Sequence, residues 1–150
     1  MKGLSRENRS YDKTSPERPV GEVIFVHDAP GLFAGLPLIL PGKHYTTPQV
    51  VAEVLDRESR ERLERVLEAG RLVVTQPTAP LIRERGLSEA DSSVLTLALE
   101  LAGRGARVVI VSDDYLLQRK AREKGLDYMP VKTLGYEKAN RLTRGGKGEG

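Results

Sequence analysis

Acidic residues stand where the apolar runs of this sequence end and where its helices begin. Five of them are candidates for chemistry: Asp28, Glu53, Asp91, Asp113 and Asp114. Carboxylates gathered at one end of a sheet repel one another, which raises their pKa values unless a cation neutralises them. Because the chain has no cysteine and only 2 histidines, an all-oxygen site suits Mg²⁺ or Mn²⁺ better than zinc. Such an ion promotes phosphodiester hydrolysis by activating water and stabilising the charge of an in-line displacement.

The acids at the strand ends also have ordinary structural explanations. Asp28 is a good turn former before Pro30, and Asp114 is well placed to cap the helix that follows it. These explanations leave the function open for either residue alone. The proposal of a metal site rests on the acids coming together.

Helical geometry gives different expectations for Asp91 and Glu53. Asp91 has capping-box spacing with Ser88, yet at about 100° per residue it aligns with Leu95 on the apolar stripe of its helix. A carboxylate on that stripe faces the sheet. Glu53 lies roughly 60° around its helix from Val50, at the edge of the stripe, where a surface glutamate is unremarkable.

Apolar runs and helical patterns alternate along the chain, which predicts an α/β fold with a mostly parallel sheet and helices on its faces. Strands are predicted over 22–26, 71–76, 107–112 and, at an edge of the sheet, 126–133. A first helix is predicted to start at Thr46-Thr47-Pro48 and to carry Val50, Val51, Val54 and Leu55 on one apolar face. Further helices are predicted over 57–69, from Ser88 to Gly103, and over 115–124. Ligands bind outside the carboxyl ends of such strands, so Asp28 and the Asp113-Asp114 pair are expected to converge.

Composition limits where this protein works and how it is divided. Residues 1–20 are predicted to be a flexible arm, 21–134 one domain, and 135–150 a basic flexible tail. No apolar run approaches the roughly 20 residues of a membrane span, and the N-terminus lacks the apolar stretch of a secretory signal, so a cytoplasmic location is expected. The net charge of +3 permits a polyanionic partner without identifying one.

The order of the acids resembles that of the PIN-domain ribonucleases, and especially the Nob1-type endonucleases of small-subunit rRNA processing. The motifs that carry the resemblance are YTTPQVVAEV, LSEAD and SDDYLLQ, within about 23–132. The resemblance implies a three-layer α/β/α sandwich that binds Mg²⁺ or Mn²⁺ and cuts single-stranded RNA. It places Asp28, Glu53 and Asp91 at the first three metal positions.

The resemblance also ranks the candidates at the end of the strand predicted over 107–112. The family pattern of a hydroxyl residue, a variable residue and an aspartate matches Ser112, Asp113 and Asp114. Asp114 is therefore favoured as the fourth acid, with Asp113 as a second candidate. Ser112 is expected to orient an acid by a hydrogen bond, or else to be a satisfied serine at a strand end.

Two departures from the family keep other functions open. Ala29-Pro30-Gly31 follows Asp28 where the family usually has a nearby serine or threonine, and the cysteine-free chain has no counterpart of the Nob1 zinc ribbon. A non-catalytic RNA- or ribosome-binding module is therefore the alternative function. A phosphatase with a strand-end aspartate nucleophile is a third, but His27-Asp28-Ala29-Pro30 lacks the Asp-x-Asp pattern of dehalogenase-like phosphatases.

Basic residues lie on the helix that is predicted directly after the Asp113-Asp114 pair. They are candidates for RNA phosphate contacts beside the metal site: Arg119, Lys120, Arg122 and Lys124. A solvated helix face is the other interpretation. Tyr115 is a candidate for stacking on a base, or for packing near its helix start. The sequence identifies no protein partner.

Overall fold

A computed structural model describes residues 23–131. The arm predicted over 1–20 and the tail predicted over 135–150 lie outside the described residues. Within 23–131, no helix is long and apolar enough to cross a membrane.

The described residues form a five-stranded sheet in which every neighbouring pair is parallel. Its strands are β1 (Val23–His27), β2 (Lys43–Thr46), β3 (Val73–Val74), β4 (Arg107–Val111) and β5 (Asp127–Met129), in the order β3-β2-β1-β4-β5. The central position of β1 between β2 and β4 brings three strand ends together at one edge.

Six helices connect the strands. They are α1 (Ala29–Phe33), α2 (Leu36–Ile39), α3 (Pro48–Ala52), α4 (Arg57–Glu68), α5 (Glu89–Gly103) and α6 (Tyr115–Glu123). The longer ones begin where the sequence predicted, because side-chain oxygens of Asp56, Ser88 and Asp114 accept the otherwise unpaired amides of their first turns. Thr47 does the same for α3.

Two apolar clusters lie on opposite faces of the sheet, as the alternation of strand side chains requires. Ile24 and Val26 of β1 belong to the larger cluster, together with residues of α3, α4, α5 and α6, whereas Phe25 belongs to a smaller cluster with Leu36 of α2. Helices therefore cover both faces, and the predicted three-layer α/β/α sandwich is confirmed.

The structure corrects three details of the predicted elements. β2 was missed because its residues KHYT carry no apolar run, although His44 and Thr46 are buried. The strand predicted over 71–76 is only Val73–Val74. α3 ends at Ala52, so Leu55 lies beyond the helix and is 77% exposed instead of joining the apolar face.

A pair of buried histidines joins the ends of β1 and β2. His44 Nε2 donates to the Leu40 carbonyl at 2.8 Å, since a carbonyl can only accept. His44 Nδ1 must then accept from His27 Nε2, at 2.8 Å. Burial, and to a lesser degree His44, lowers the pKa of His27 to about 3, so both rings are neutral near pH 7.

The packing of α1 on His27 requires a residue without a side chain at position 31. A Cβ on Gly31 would collide with His27 Nδ1 and lie 2.9 Å from Val111 Cγ1. We expect Gly31→Ala to lower the free energy of unfolding by about 1–3 kcal/mol through overpacking, measured by urea denaturation.

Gly103 provides the matched control for this substitution. It is also helical, but its Cβ would meet nothing within 4 Å. Gly103→Ala should be neutral or stabilising by up to about 1 kcal/mol. Equal effects of the two substitutions would contradict the packing described for α1.

Candidate active site

Asp28 lies directly beyond β1, beside the end of β4. Its backbone N–H donates to the Val111 carbonyl at 2.9 Å, which continues the pairing of the two strands by one residue. The Ser112 hydroxyl donates to Asp28 Oδ2 at 3.1 Å. The Thr46 hydroxyl donates to the His27 carbonyl at 2.7 Å, so all three neighbouring strands fix the position of this carboxylate.

The Ser112 hydroxyl also fixes the turn that leads into α6. It accepts from the Asp114 backbone N–H at 3.0 Å while donating to Asp28. The buried Gln118 side chain donates to the Ser112 carbonyl at 2.7 Å. Asp114 in turn caps α6, with Oδ1 accepting from the Leu117 amide at 2.9 Å. Ser112 therefore donates a hydrogen bond to a candidate acid, while its role in orienting a metal ligand stays a prediction.

Asp113 has a different environment from Asp114. Its Oδ1 accepts from the Val131 backbone N–H at 2.8 Å, which ties the turn to the segment after β5. Asp114 leaves one carboxylate oxygen with no hydrogen bond among the described residues. Each residue thus uses one oxygen in a backbone contact. Of the two, Asp114 is the one whose charge raises the pKa of Asp91, which favours Asp114 as the fourth acid, although the metal role of either residue stays a prediction.

Asp91 and Glu53 are carried by two helices that are joined to each other. The Thr47 hydroxyl at the start of α3 lies 2.7 Å from the Ser93 hydroxyl of α5. Asp91 forms the predicted capping box with Ser88, and its Oδ2 accepts from the Ser88 amide at 3.4 Å. Glu53 is the exposed residue that ends α3.

The acids interact through their charges. Burial raises the pKa of Asp28 to about 6; the charges of Asp91 and Glu53 raise it too, against hydrogen bonds from the Ala29 amide and Ser112 that lower it. Burial also raises the pKa of Asp91, and the charge of Asp114 adds to that increase. Asp28, Glu53, Asp91 and Asp114 are thus linked by charge repulsion.

These acids do not form a closed cage. Across residues 23–131, no three acidic or histidine side chains are grouped closely enough to hold a metal ion. Their oxygens serve helix caps instead: Asp91 binds the Ser88 amide and Asp114 binds the Leu117 amide. The donor set still fits a hard divalent cation, because it consists of carboxylate oxygens and includes the half-buried carboxylate of Asp28, whose charge is poorly compensated.

The basic residues of α6 differ in what they contact. Lys120 and Lys124 form ion pairs with Glu84 at 2.8 and 3.0 Å. The guanidinium carbon of Arg122 lies 5.9 Å from the centre of the Tyr128 ring. The two lysines are therefore engaged within the protein, which revises the view of this helix as an open phosphate-binding face. Arg119 is exposed, and its contact with RNA stays a prediction.

Sequence reasoning missed three residues that hold the site. Gln118, Thr47 and Ser93 are buried polar side chains with intramolecular hydrogen bonds. The signal for Gln118 is its place beside Leu117 and Ala121 on the apolar side of α6. A polar residue on a buried helix face needs a partner, but the sequence does not tell which one.

The fold and the site together define a class of protein. A parallel sheet of this strand order, with acids beyond β1, beyond β4 and at the start of α5, matches the arrangement that the sequence motifs implied for PIN domains. A solved structure supports the fold: a PilT N-terminus domain protein from the hyperthermophilic archaeon Sulfolobus solfataricus P2 matches with a TM-score of 0.55 at 18% identity, over 74% of this chain and 89% of that one.

Curated relatives support the same class. Ribonuclease VapC3 of Aeropyrum pernix is 41% identical over 128 residues, covering 78% of this chain and 92% of the relative. Endoribonuclease Nob1 of Pyrococcus abyssi is 40% identical over 99 residues, covering 59% of this chain and 58% of the relative. No protein-family model matches the chain. The chain belongs to the PIN-domain ribonuclease family, which confirms the resemblance read from its motifs.

The raised pKa of Asp28 has a consequence for stability. A carboxyl with a pKa of about 6 in the folded chain and an ordinary value of 3.8 contributes stability that is present below pH ~3.8 and lost as the pH rises through ~6. We expect Asp28→Asn to increase the free energy of unfolding by about 2–3 kcal/mol above pH 7 and by almost nothing at pH 4. Urea denaturation at both pH values measures this.

Asp127→Asn is the control for the loss of a carboxylate. Asp127 is exposed and lies 4.0 Å from Arg107, so its substitution should change stability by less than about 0.5 kcal/mol at either pH. A destabilised Asp28→Asn variant at pH 7 would mean that this carboxylate is well compensated in the folded chain.

Proposed function

We propose that this chain is an endoribonuclease that uses Mg²⁺ or Mn²⁺ to hydrolyse phosphodiester bonds of single-stranded RNA. The observation that carries the proposal is the half-buried carboxylate of Asp28 beyond the central strand, whose pKa is raised to about 6 by burial and by its acidic neighbours. Such an arrangement costs stability. Binding a divalent cation among the acids would offset that cost.

The residues that would hold the cation are Asp28, Glu53, Asp91 and Asp114. When bound, a divalent cation supplies Lewis acidity toward the scissile phosphate and the attacking water. Ser112 orients Asp28 by donating to Oδ2, which leaves Oδ1 for a ligand. Asp91 and Asp114 each use one carboxylate oxygen in a helix cap, so the other oxygen of each would remain for the cation.

The likeness to Nob1 makes small-subunit rRNA the candidate substrate, with the reaction in the cytoplasm. The chain spans about three fifths of the length of the Nob1 relative from Pyrococcus abyssi. Its likeness to ribonuclease VapC3 covers nearly all of that relative. We therefore assign single-stranded RNA as the substrate class and rRNA as the first target to examine.

A non-catalytic RNA- or ribosome-binding module is the second candidate. Two observations favour it. The acids between residues 23 and 131 do not form a ready-made metal cage, and no hydroxyl residue stands directly after Asp28, where Ala29-Pro30-Gly31 follows. Because Ser112, directly after β4, supplies a hydroxyl to Asp28, the catalytic function remains the better supported one.

Cleavage of a labelled single-stranded RNA in Mn²⁺ tests the proposal. We expect Asp28→Asn, Asp91→Asn and Asp114→Asn each to lower kcat/KM by at least about 100-fold, because each removes a charged cation ligand. Asparagine preserves the size of the side chain and can still cap a helix. Ser112→Ala should cost about 10- to 100-fold, since it removes only the orienting hydrogen bond.

Asp113→Asn is the neighbouring control. Asparagine Oδ1 can still accept from the Val131 amide, so we expect activity within about threefold of the parent chain. Loss of cleavage in Asp113→Asn but not in Asp114→Asn would exchange the roles of the two residues. RNA binding without cleavage by every protein, the parent included, would support the non-catalytic module.

A further inference from the structure

The loop that connects β3 to α5, residues 75–87, is held against two helices although it has no regular secondary structure. Near its start, the carboxylate of Glu100 on α5 accepts from the Thr78 amide at 2.8 Å and from the Thr78 hydroxyl at 2.6 Å. At its middle, the Ile82 amide donates to the Thr96 hydroxyl at 2.9 Å. These contacts fix the path of the loop along α5.

The last part of the loop is fixed to α6 by Glu84. Its carboxylate lies between Lys120 at 2.8 Å and Lys124 at 3.0 Å, and we call this arrangement the Glu84 latch. One carboxylate shared by two ammonium groups is more favourable than an isolated surface pair, because both partners lie on the same rigid helix. The latch therefore fixes which loop side chains face the protein.

The residues on either side of Glu84 face solvent. Arg83 and Arg85 are exposed, and neither has a hydrogen bond or ion pair with any other residue between 23 and 131. Positive charges that are held on an anchored backbone but unpaired within the protein can bind a polyanion without first breaking a contact. The lysines of the latch cannot do so without releasing Glu84.

The loop that carries the two arginines reaches the first turn of α6 at Gly86. A Cβ on Gly86 would be 2.7 Å from the Leu116 side chain, so the loop passes directly against the first turn of α6. That turn begins at Asp114, and Tyr115 next to it is 86% exposed. Arg85 also precedes by three residues Ser88, the residue that caps the helix of Asp91.

A cluster of acids repels the phosphates of its own substrate, so an RNA-cutting site needs fixed positive charge beside it. We infer that Arg83 and Arg85, presented by the Glu84 latch, form an RNA-binding rim with Tyr115. The arginines bind phosphates, and Tyr115 stacks on a base. Lys120 and Lys124 then act by positioning the loop. The inference rests on the proposed function for the identity of the ligand, single-stranded RNA.

Equilibrium binding of a fluorescent, unstructured RNA of about 20 nucleotides to the full chain in EDTA tests the rim, because the RNA stays intact. We expect the double variant Arg83→Ser/Arg85→Ser to bind about tenfold more weakly at low salt. The slope of log K against log salt should fall by about 1.4, since each lost phosphate contact on a single strand removes about 0.7.

The double variant Arg65→Ser/Arg107→Ser is the matched control, with the same loss of charge. Arg65 is exposed in the last turn of α4, and Arg107 begins β4 at the opposite edge of the sheet from the acids. We expect its affinity to stay within about twofold of the parent chain. Equal losses in the two double variants would show only a general charge effect and overturn the rim.

Glu84→Gln separates positioning from charge by the sign of its effect. This substitution removes a negative charge and so raises the net charge of the protein by one, and an effect of net charge alone would strengthen RNA binding. If the Glu84 latch holds Arg83 and Arg85 in position, RNA binding should weaken by about threefold or more despite the higher net charge. Unchanged or tighter binding, with an unchanged circular dichroism spectrum, would contradict the latch.

Cleavage assays in Mn²⁺ keep the two proposals apart. Weaker RNA binding by the arginine variants in a chain that does not cut RNA would leave the rim standing and reject the nuclease. Normal binding by those variants in a chain that cuts RNA would reject the rim and leave the nuclease standing. A Tyr115→Ala variant should lose about tenfold in affinity with little change in the salt slope, because stacking involves no phosphate.

Discussion

The carboxylate of Asp28 is the constraint around which this structure is organised. It lies half-buried just beyond the central strand of a parallel sheet, next to other acids, and burial raises its pKa to about 6. Within residues 23–131, no cationic side chain contributes to the pKa of Asp28, and burial keeps the neighbouring His27 neutral by lowering its pKa to about 3. A protein of marginal stability keeps a poorly compensated buried charge where function requires it.

The polar contacts near Asp28 hold the carboxylate in place but supply little positive charge. Ser112 donates to it and accepts from Asp114, which links the ends of β1 and β4 to the start of α6. The neutral His27 and His44 rings are hydrogen-bonded to each other and so join β1 to β2. The site is therefore oriented by uncharged groups, and a divalent cation remains the natural source of compensating charge.

The parts of the fold that were predictable are those with local signals. Aliphatic runs marked β1 and β4, and Ser88 with Asp91 marked the start of α5 through a capping box that the structure contains. β2 was not predictable from local pattern, because it reads KHYT. Its buried histidine depends on a partner 17 residues earlier in the chain.

The candidate site also combines features with a local sequence signal and features that depend on contacts between distant residues. The acids were recognisable by their order and their places at strand ends, and the structure links four of them through their charges. The sequence motif already favoured Asp114 over Asp113, and the structure adds that the charge of Asp114 raises the pKa of Asp91. Sequence alone also left Lys120 and Lys124 open between an RNA contact and a solvated helix face, because the position of Glu84 beside them depends on the path of a loop without regular structure.

The most direct test of the account is the number of protons released when Mn²⁺ binds the full chain. Calorimetric titrations at pH 6 in buffers of different ionisation enthalpy measure this number, because a carboxyl must be deprotonated before it ligates a metal. With the pKa of Asp28 at about 6, at least about half a proton should be released per ion bound. Asp28→Asn should bind the ion more weakly and release fewer protons. Binding with no proton release, or equal release by the parent chain and the variant, would contradict the assignment of Asp28 to a cation site.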